Sequence, residues 1–240
     1  MPAAAIQLAP NVWRVPTVFW DLVNSIVFRD DDGQVTVVDT GIKNAPGRIL
    51  AALEQIGSGP TDVTRILLTH AHMDHAGGLA DLQQKTGAGV LVHVDDAPFV
   101  STGQTPDFDR SMLFGRLLRN GGRFGATEVA EELTDGQLLD IAGGLRVHHT
   151  PGHTPGHVAL VHEPSRLLVT GDSIWNVRAR TTWSFAAVCN NFAMTQETAH
   201  VLGELDYDTV AFTHGPEIRD DAREAVRRFL SKPRRFRGGL

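Results

Sequence analysis

His70-Ala71-His72-Met73-Asp74-His75 follows directly on the short apolar run Arg65-Ile66-Leu67-Leu68-Thr69, and this junction decides how the chain is read. Four side chains able to bind a metal fall within six residues. A strand that ends in such a loop holds imidazole and carboxylate groups on a rigid base. That donor set suits zinc, and equally iron or manganese.

The rest of the chain repeats the design. Pro151-Gly152-His153-Thr154-Pro155-Gly156-His157, Leu167-Leu168-Val169-Thr170-Gly171-Asp172 and Val210-Ala211-Phe212-Thr213-His214-Gly215 each couple an apolar run to a ligand-capable side chain. Runs of this kind read as strands, so four strand ends aim metal-type residues at one place.

This ordered set resembles the metallo-β-lactamase superfamily of metallohydrolases, in which an H-x-H-x-D-H block is followed by a lone His, a bridging Asp and a final His. The match extends upstream to Val37-Val38-Asp39-Thr40-Gly41 and covers nearly the whole chain, so residues 1–240 are expected to form one domain. The resemblance implies a first metal on His70, His72 and His153. It implies a second on Asp74, His75 and His214, with Asp172 shared by both. Asp39 would orient the ligand loop without touching metal, and His157 would tie its loop together. The implied cofactor is a pair of divalent ions, zinc first, with iron or manganese accepting the same ligands.

The chain has 11 histidines, and the ligand set takes five. His93 and His162 end strand-like runs and are expected to be solvated or at a strand edge. His148 and His149 alternate faces, so at most one points inward. His200 lies on an expected helix and is read as exposed. Cys189, the single cysteine, rules out an intrachain disulfide and is read as a small buried hydrophobe in a segment that approaches the site.

Composition sets bounds. At 240 residues the chain is long enough for a sizeable buried core. No apolar run reaches bilayer length, and the first residues lack a basic stretch followed by an apolar one, so a cytoplasmic location and no membrane association are expected. The lack of such a leader counts against a role in degrading antibiotics outside the cell. Residues 219–240 carry +5 and the preceding residues −11 of the net −6. The basic end is read as a solvated helix face, with Arg227 and Arg228 placed favourably near a helix C-terminus. No nucleic-acid partner is expected, and a homodimer is left open.

Strand-like runs fall at residues 12–15, 25–29, 34–39, 65–69, 90–93, 145–149, 158–162, 166–170 and 209–213, and helical patterns at 45–56, 77–85, 195–205 and 217–230. Asp30-Asp31-Asp32-Gly33 reads as a hairpin turn. These elements fit an α/β (α+β) architecture, the αββα sandwich of two mixed sheets flanked by helices that the resemblance implies.

Two ions sharing a carboxylate would lower the pKa of a bridging water, and the resulting hydroxide attacks a carbonyl carbon while Asp74 and Asp172 serve the reaction. Segments 16–20, 103–124 and 173–192 are placed to surround the metals and supply an apolar roof, with Phe19, Trp20, Phe114, Trp175, Trp183 and Phe185, and Arg178 to meet an anionic group. The leading expectation is a dinuclear hydrolase of a lactone or other carboxylic ester, a small molecule with an apolar portion. Thioester and phosphodiester hydrolysis are the alternatives within the fold. A different class is a mononuclear iron enzyme of the persulfide dioxygenase type, with His70, His153 and Asp172 as the triad. Glyoxalase II-type enzymes add a C-terminal region that binds glutathione, which this chain is too short to match. Acyl-homoserine lactonases place a Tyr between the bridging Asp and the final His, and the only candidate is Tyr207. β-Lactamases lack the bridging Asp, so Asp172 favours the wider hydrolase group.

Overall fold

The computed structural model describes residues 4–118 and 120–232. The first sheet begins as an antiparallel meander of β1 (Ile6–Ala9), β2 (Val12–Pro16), β3 (Asn24–Arg29) and β4 (Val35–Val38). It continues in parallel through β5 (Val63–Leu67), β6 (Gly89–His93) and β7 (Glu131–Leu133). In the second sheet β8 (Leu138–Leu139), β9 (Leu145–His149), β10 (Val158–His162) and β11 (Leu167–Val169) are antiparallel neighbours. β12 (Ile174–Val177) and β13 (Arg180–Trp183) form a separate hairpin, after which β14 (Thr209–Ala211) pairs with β11 in parallel. The helices are α1 (Pro46–Gln55), α2 (Met73–Ala76), α3 (Leu79–Thr86), α4 (Ala97–Thr102), α5 (Leu113–Leu117), α6 (Phe192–Thr198) and α7 (Ala222–Leu230).

Three bands of buried side chains separate four layers. Val27, Val37, Ile66 and Val90 face Ile49 and Leu53 of α1 and Leu79 and Leu82 of α3. The alternate residues of the same strands, Ile26, Phe28, Val38, Leu67 and Leu91, meet Val147, Val158, Leu160 and Val169 of the second sheet. On that sheet's other face Ala159, Val161, Leu168 and Val210 pack against Val226, Phe229 and Leu230 of α7. Side chains alternate along a strand, and both faces of each sheet are covered, which is why these strands read as nearly unbroken apolar runs. The result is the αββα sandwich of two mixed sheets.

Several strands stop short of their expected ends. The pairing of β4, β5, β11 and β14 ends at Val38, Leu67, Val169 and Ala211, before Asp39, Thr69, Thr170 and Thr213. Beyond those ends the Asp39 and Thr69 side chains turn to the site described below and Thr213 Oγ1 donates to Asp172 Oδ1 at 2.7 Å, while the Thr170 hydroxyl bonds the nearby Gly171 and Ile174 carbonyls. The last helix starts at Ala222 rather than residue 217, since Asp221 is left-handed (φ 51°) and Ile218 pairs with Val210. Residues 195–205 split into α6 and a 3₁₀ segment, Ala199–Gly203. Residues 233–240 of the basic end lie outside the described residues.

His93 and His162 are corrections, for both are buried. His93 stacks on His149 with ring centroids 3.9 Å apart, and His162 lies against Phe28 and bonds Ser165 Oγ and the Ala142 carbonyl. His148 and His149 are both half-buried, and His200 is exposed. Among the described residues no helix is long and apolar enough to cross a membrane.

Leu160 is central to the band between the sheets and fully buried. Leu160→Ala is expected to cost about 2–5 kcal/mol of unfolding free energy, measured by urea denaturation.

Candidate metal centre

The loop after β5, the loop between β9 and β10, the turn after β11 and the turn after β14 converge at one edge of the sandwich. They bring His70, His72, Asp74, His75, His153, Asp172 and His214 together. Donor atoms of His70, His72 and His153 lie within 4.8 Å of one another, as do those of Asp74, His75 and His214. Asp172 touches both groups. Its Oδ2 is 3.2 Å from His153 Nε2, 4.0 Å from His70 Nε2 and 3.2 Å from His214 Nε2, while its Oδ1 is 3.5 Å from His75 Nε2.

Hydrogen bonds at the far side of the His70, His75 and His214 rings decide which nitrogen faces the cluster. Asp39, fully buried and with φ of 60°, accepts from the Thr69 N–H at 2.8 Å, from Thr69 Oγ1 at 2.7 Å and from His75 Nδ1 at 2.8 Å. Having given its own proton to Asp39, the Thr69 hydroxyl accepts from His70 Nδ1 at 3.0 Å. His214 donates its Nδ1–H to the Leu22 carbonyl. In each case Nε2 is left with a free lone pair inside the cluster. For His70 that nitrogen is fully buried and has no hydrogen-bond partner. A buried imidazole nitrogen left unpaired is costly, and a bound cation relieves that cost, so the residues fit the implied metals.

Electrostatics agree with this. Burial, reinforced by the neighbouring imidazoles, holds His70 and His72 well below the usual histidine range, so both are neutral donors. At His75 burial works against the charged form, but Asp172, Asp74 and Asp39 outweigh it and raise the pKa well above normal. At His153 burial is likewise outweighed, by Cys189 and Asp172, and the pKa rises to about 10. The carboxylates therefore demand positive charge at the centre of the cluster, which protons or divalent cations supply.

His157 does not join the cluster. Its Nε2 accepts the Asp172 backbone N–H at 2.7 Å and its Nδ1 donates to the Thr150 carbonyl at 3.0 Å. Burial and the neighbouring His153 hold its pKa down at about 3, which keeps Nε2 a proton acceptor. A side chain at Gly171 would place its Cβ 2.4 Å from that nitrogen, so glycine is required before Asp172.

The main residue missed by sequence reasoning is Asp96. One oxygen accepts from the Ala71 N–H and the Thr154 hydroxyl, both at 2.8 Å, and the other from the Gly156 N–H at 2.7 Å. It thereby clamps the His70–His72 loop to the His153 loop. The available signal was its position just past a strand end, where the ligands also sit. Cys189 is buried as expected, but its Sγ also lies 3.3 Å from His153 Nδ1.

A cavity of about 290 Å³ opens onto the cluster, lined by His72, Met73, Asp74, Phe108, Gly121, His153, Asp172, Trp175, Phe185 and Val188. Larger concavities near the Asp30 turn and beside α3 contain no histidine. Trp175 packs tilted against the His214 ring at 4.4 Å and edge-on to Phe185 at 5.0 Å, while Phe114 packs on Phe108, 5.7 Å away. The other expected roof residues are corrections. Trp183 packs 4.9 Å from Phe229, on the α7 side of the second sheet. Arg178 is exposed at the tip of the β12–β13 hairpin, where it and Ala179 take positive φ. Phe19 lies under the Arg48 guanidinium, and Trp20 is 91% exposed. Tyr207 is buried in the band against α7 and does not approach the cluster.

Two sheets sandwiched between helices, with this ligand set along one edge, define a metallohydrolase of the metallo-β-lactamase type. The model of the metallo-beta-lactamase superfamily matches residues 18–235, and the chain belongs to that superfamily. It is 31% identical over 206 residues to a probable metallo-hydrolase of Bacillus subtilis (strain 168), covering 85% of this chain and 83% of that one. It is 25% identical over 172 residues to a hydroxyacylglutathione hydrolase of Haemophilus influenzae, covering 69% and 72%. Among solved structures, a metallo-beta-lactamase family protein of Thermus thermophilus superposes with a TM-score of 0.70 at 25% identity, over 94% of this chain and 80% of that chain.

Asp96→Ala leaves three buried donors unpaired. It is expected to destabilise the metal-free protein by about 3 kcal/mol or more, read by chemical denaturation, and to weaken metal retention.

Proposed function

We propose that the protein is a dinuclear zinc hydrolase of carboxylic esters, open-chain or lactone, whose substrate carries a small apolar portion. The observation that carries this reading is the position of Asp172, whose two oxygens face both ligand groups at once. His70, His72 and His153 would hold one ion, Asp74, His75 and His214 the other, and Asp172 would be shared. Bound there, the pair supplies Lewis acidity and a hydroxide nucleophile at neutral pH.

The remaining work falls to the chain. The Asp39, Thr69 and Leu22 acceptors hold three rings with Nε2 inward, so the ligand geometry is set before substrate arrives. Of the two carboxylates lining the cavity, the Asp172 side chain is 3% exposed and that of Asp74 39%. Asp74 is therefore the group placed to take the nucleophile's proton and return it to the leaving alkoxide. Phe108, Trp175, Phe185 and Val188 exclude water around the acyl part. The described wall combines these apolar side chains with the metal-type residues, which supports a substrate with an apolar acyl portion. Several relatives are named hydroxyacylglutathione hydrolases, so thioesters belong in the same test. The single cysteine suits work in the reducing cytoplasm.

Elemental analysis of reconstituted protein is expected to give two ions per chain, and a panel of lactone, ester, thioester and phosphodiester substrates to show turnover of the oxygen esters above the rest. One ion or none at saturation, or turnover of phosphodiesters alone, would overturn the reading. Asp172→Ala is expected to lose one ion and at least ~100-fold in kcat/KM, whereas His157→Ala, which removes no ligand but frees the Asp172 N–H, keeps both ions at saturation with affinity weakened roughly 10–100-fold.

A further inference from the structure

The turn that carries His214 is held by a buried charge that does not line the cavity. Arg14 in β2 is 3% exposed, and its guanidinium meets Asp21 at 2.7 Å, Glu217 at 2.9 Å and the Asn24 side-chain carbonyl at 3.1 Å. These three partners bracket the last ligand. Asn24 Nδ2 donates to the carbonyls of Phe212 at 3.0 Å and Gly215 at 2.8 Å, and the Asn24 backbone N–H donates to the Thr213 carbonyl at 2.8 Å. In the opposite direction the Gly215 N–H donates to the Asp21 carbonyl at 2.7 Å, and His214 Nδ1 to the Leu22 carbonyl. Gly215 itself is tightly enclosed, since a Cβ there would lie 1.9 Å from the Asn176 carbonyl oxygen.

Residues 21–24 and 212–217 are thus clamped to one another around a single guanidinium. Its rigid fork engages two carboxylates and an amide together, which an ammonium point charge would not do. Trp20 and Asp21 take φ of 58° and 57°, a left-handed conformation that Asp adopts readily but that is uncommon for a bulky residue such as Trp. Among the described residues, no hydrogen bond of the His70, His72 or His153 side chains reaches this unit.

We propose that Arg14 is a positioning residue for His214, and through it sets the occupancy of the second ion. This rests on the two-ion reading above. The Arg14 pairs fix the backbone at Asp21 and Glu217, the fixed Leu22 carbonyl takes the His214 Nδ1–H, and Nε2 is then held 3.2 Å from Asp172 Oδ2. Without Arg14 the carbonyl is released and the ring is free to turn. The first ion's ligands keep their own supports.

The test uses Arg14→Met and, as a variant that keeps side-chain shape and leaves Arg14 paired with Glu217, Asp21→Asn. In metal-free protein, NMR of imidazole N–H protons is expected to lose the His214 signal in Arg14→Met while retaining that of His75 bonded to Asp39. In zinc titrations the second equivalent should weaken roughly 10–100-fold in Arg14→Met and by less in Asp21→Asn, with the first unchanged. Wild-type affinities and an intact His214 signal in both variants would overturn the proposal. Equal weakening of both ions would also overturn it, since that marks a general loss of structure. If wild-type protein itself takes one ion while the variant still loses the His214 signal, the two-ion reading fails and the Arg14 assignment stands.

Discussion

Asp172 places a carboxylate almost out of water, with four imidazole nitrogens within 4.0 Å of its two oxygens. Such a charge is tolerable only when its surroundings neutralise it. Burial alone would raise its pKa, yet His214, His75 and His153 outweigh burial and hold it well below the usual carboxylate range. The ligand loops have to meet around this group, and the two sheets have to present their ends at the same edge for them to do so.

The supports behind the ligands are of two kinds. Asp39 and Asp96 are buried carboxylates that accept three hydrogen bonds each and join loops from different parts of the chain. Carbonyls and small side chains do the finer work, with Thr69, Leu22 and Thr150 each selecting a tautomer. Because the polar groups form a connected network, removing one member leaves others unpaired at low local dielectric, and the damage spreads. The apolar cavity wall is a separate layer, attached through Trp175 to His214 and through Phe108 to His72.

Much of this was legible in the order of residues. The runs before His70, Gly171 and His214 gave strand positions because their apolar pattern is nearly continuous, and the run ending at His149 because buried Leu145 and Val147 alternate with half-buried residues. Short or polar elements were not legible: β7 contains two glutamates, β8 has two residues, and the β12–β13 hairpin turns at Arg178-Ala179, which carries no glycine. His93 and His162 misled because a histidine at a strand end looks solvated, whereas a stacked ring or a carbonyl partner makes burial acceptable. Trp183 misled for a related reason, since a large aromatic near a site suits a core as well as a roof.

The kind and order of the metal-type side chains are local facts, written at strand ends, so the chain alone specified them, and the resemblance carried by that order implied the sandwich. Their division around one carboxylate depends on distances between residues as far apart as His75 and His214, and so do the buried roles of Asp96 and Arg14. Long-range contacts of that kind leave no periodic mark in the sequence, because an aspartate or arginine that clamps two loops is spelled the same as one in solvent. Only packing the two sheets against each other shows which of them lost its water and had to find partners.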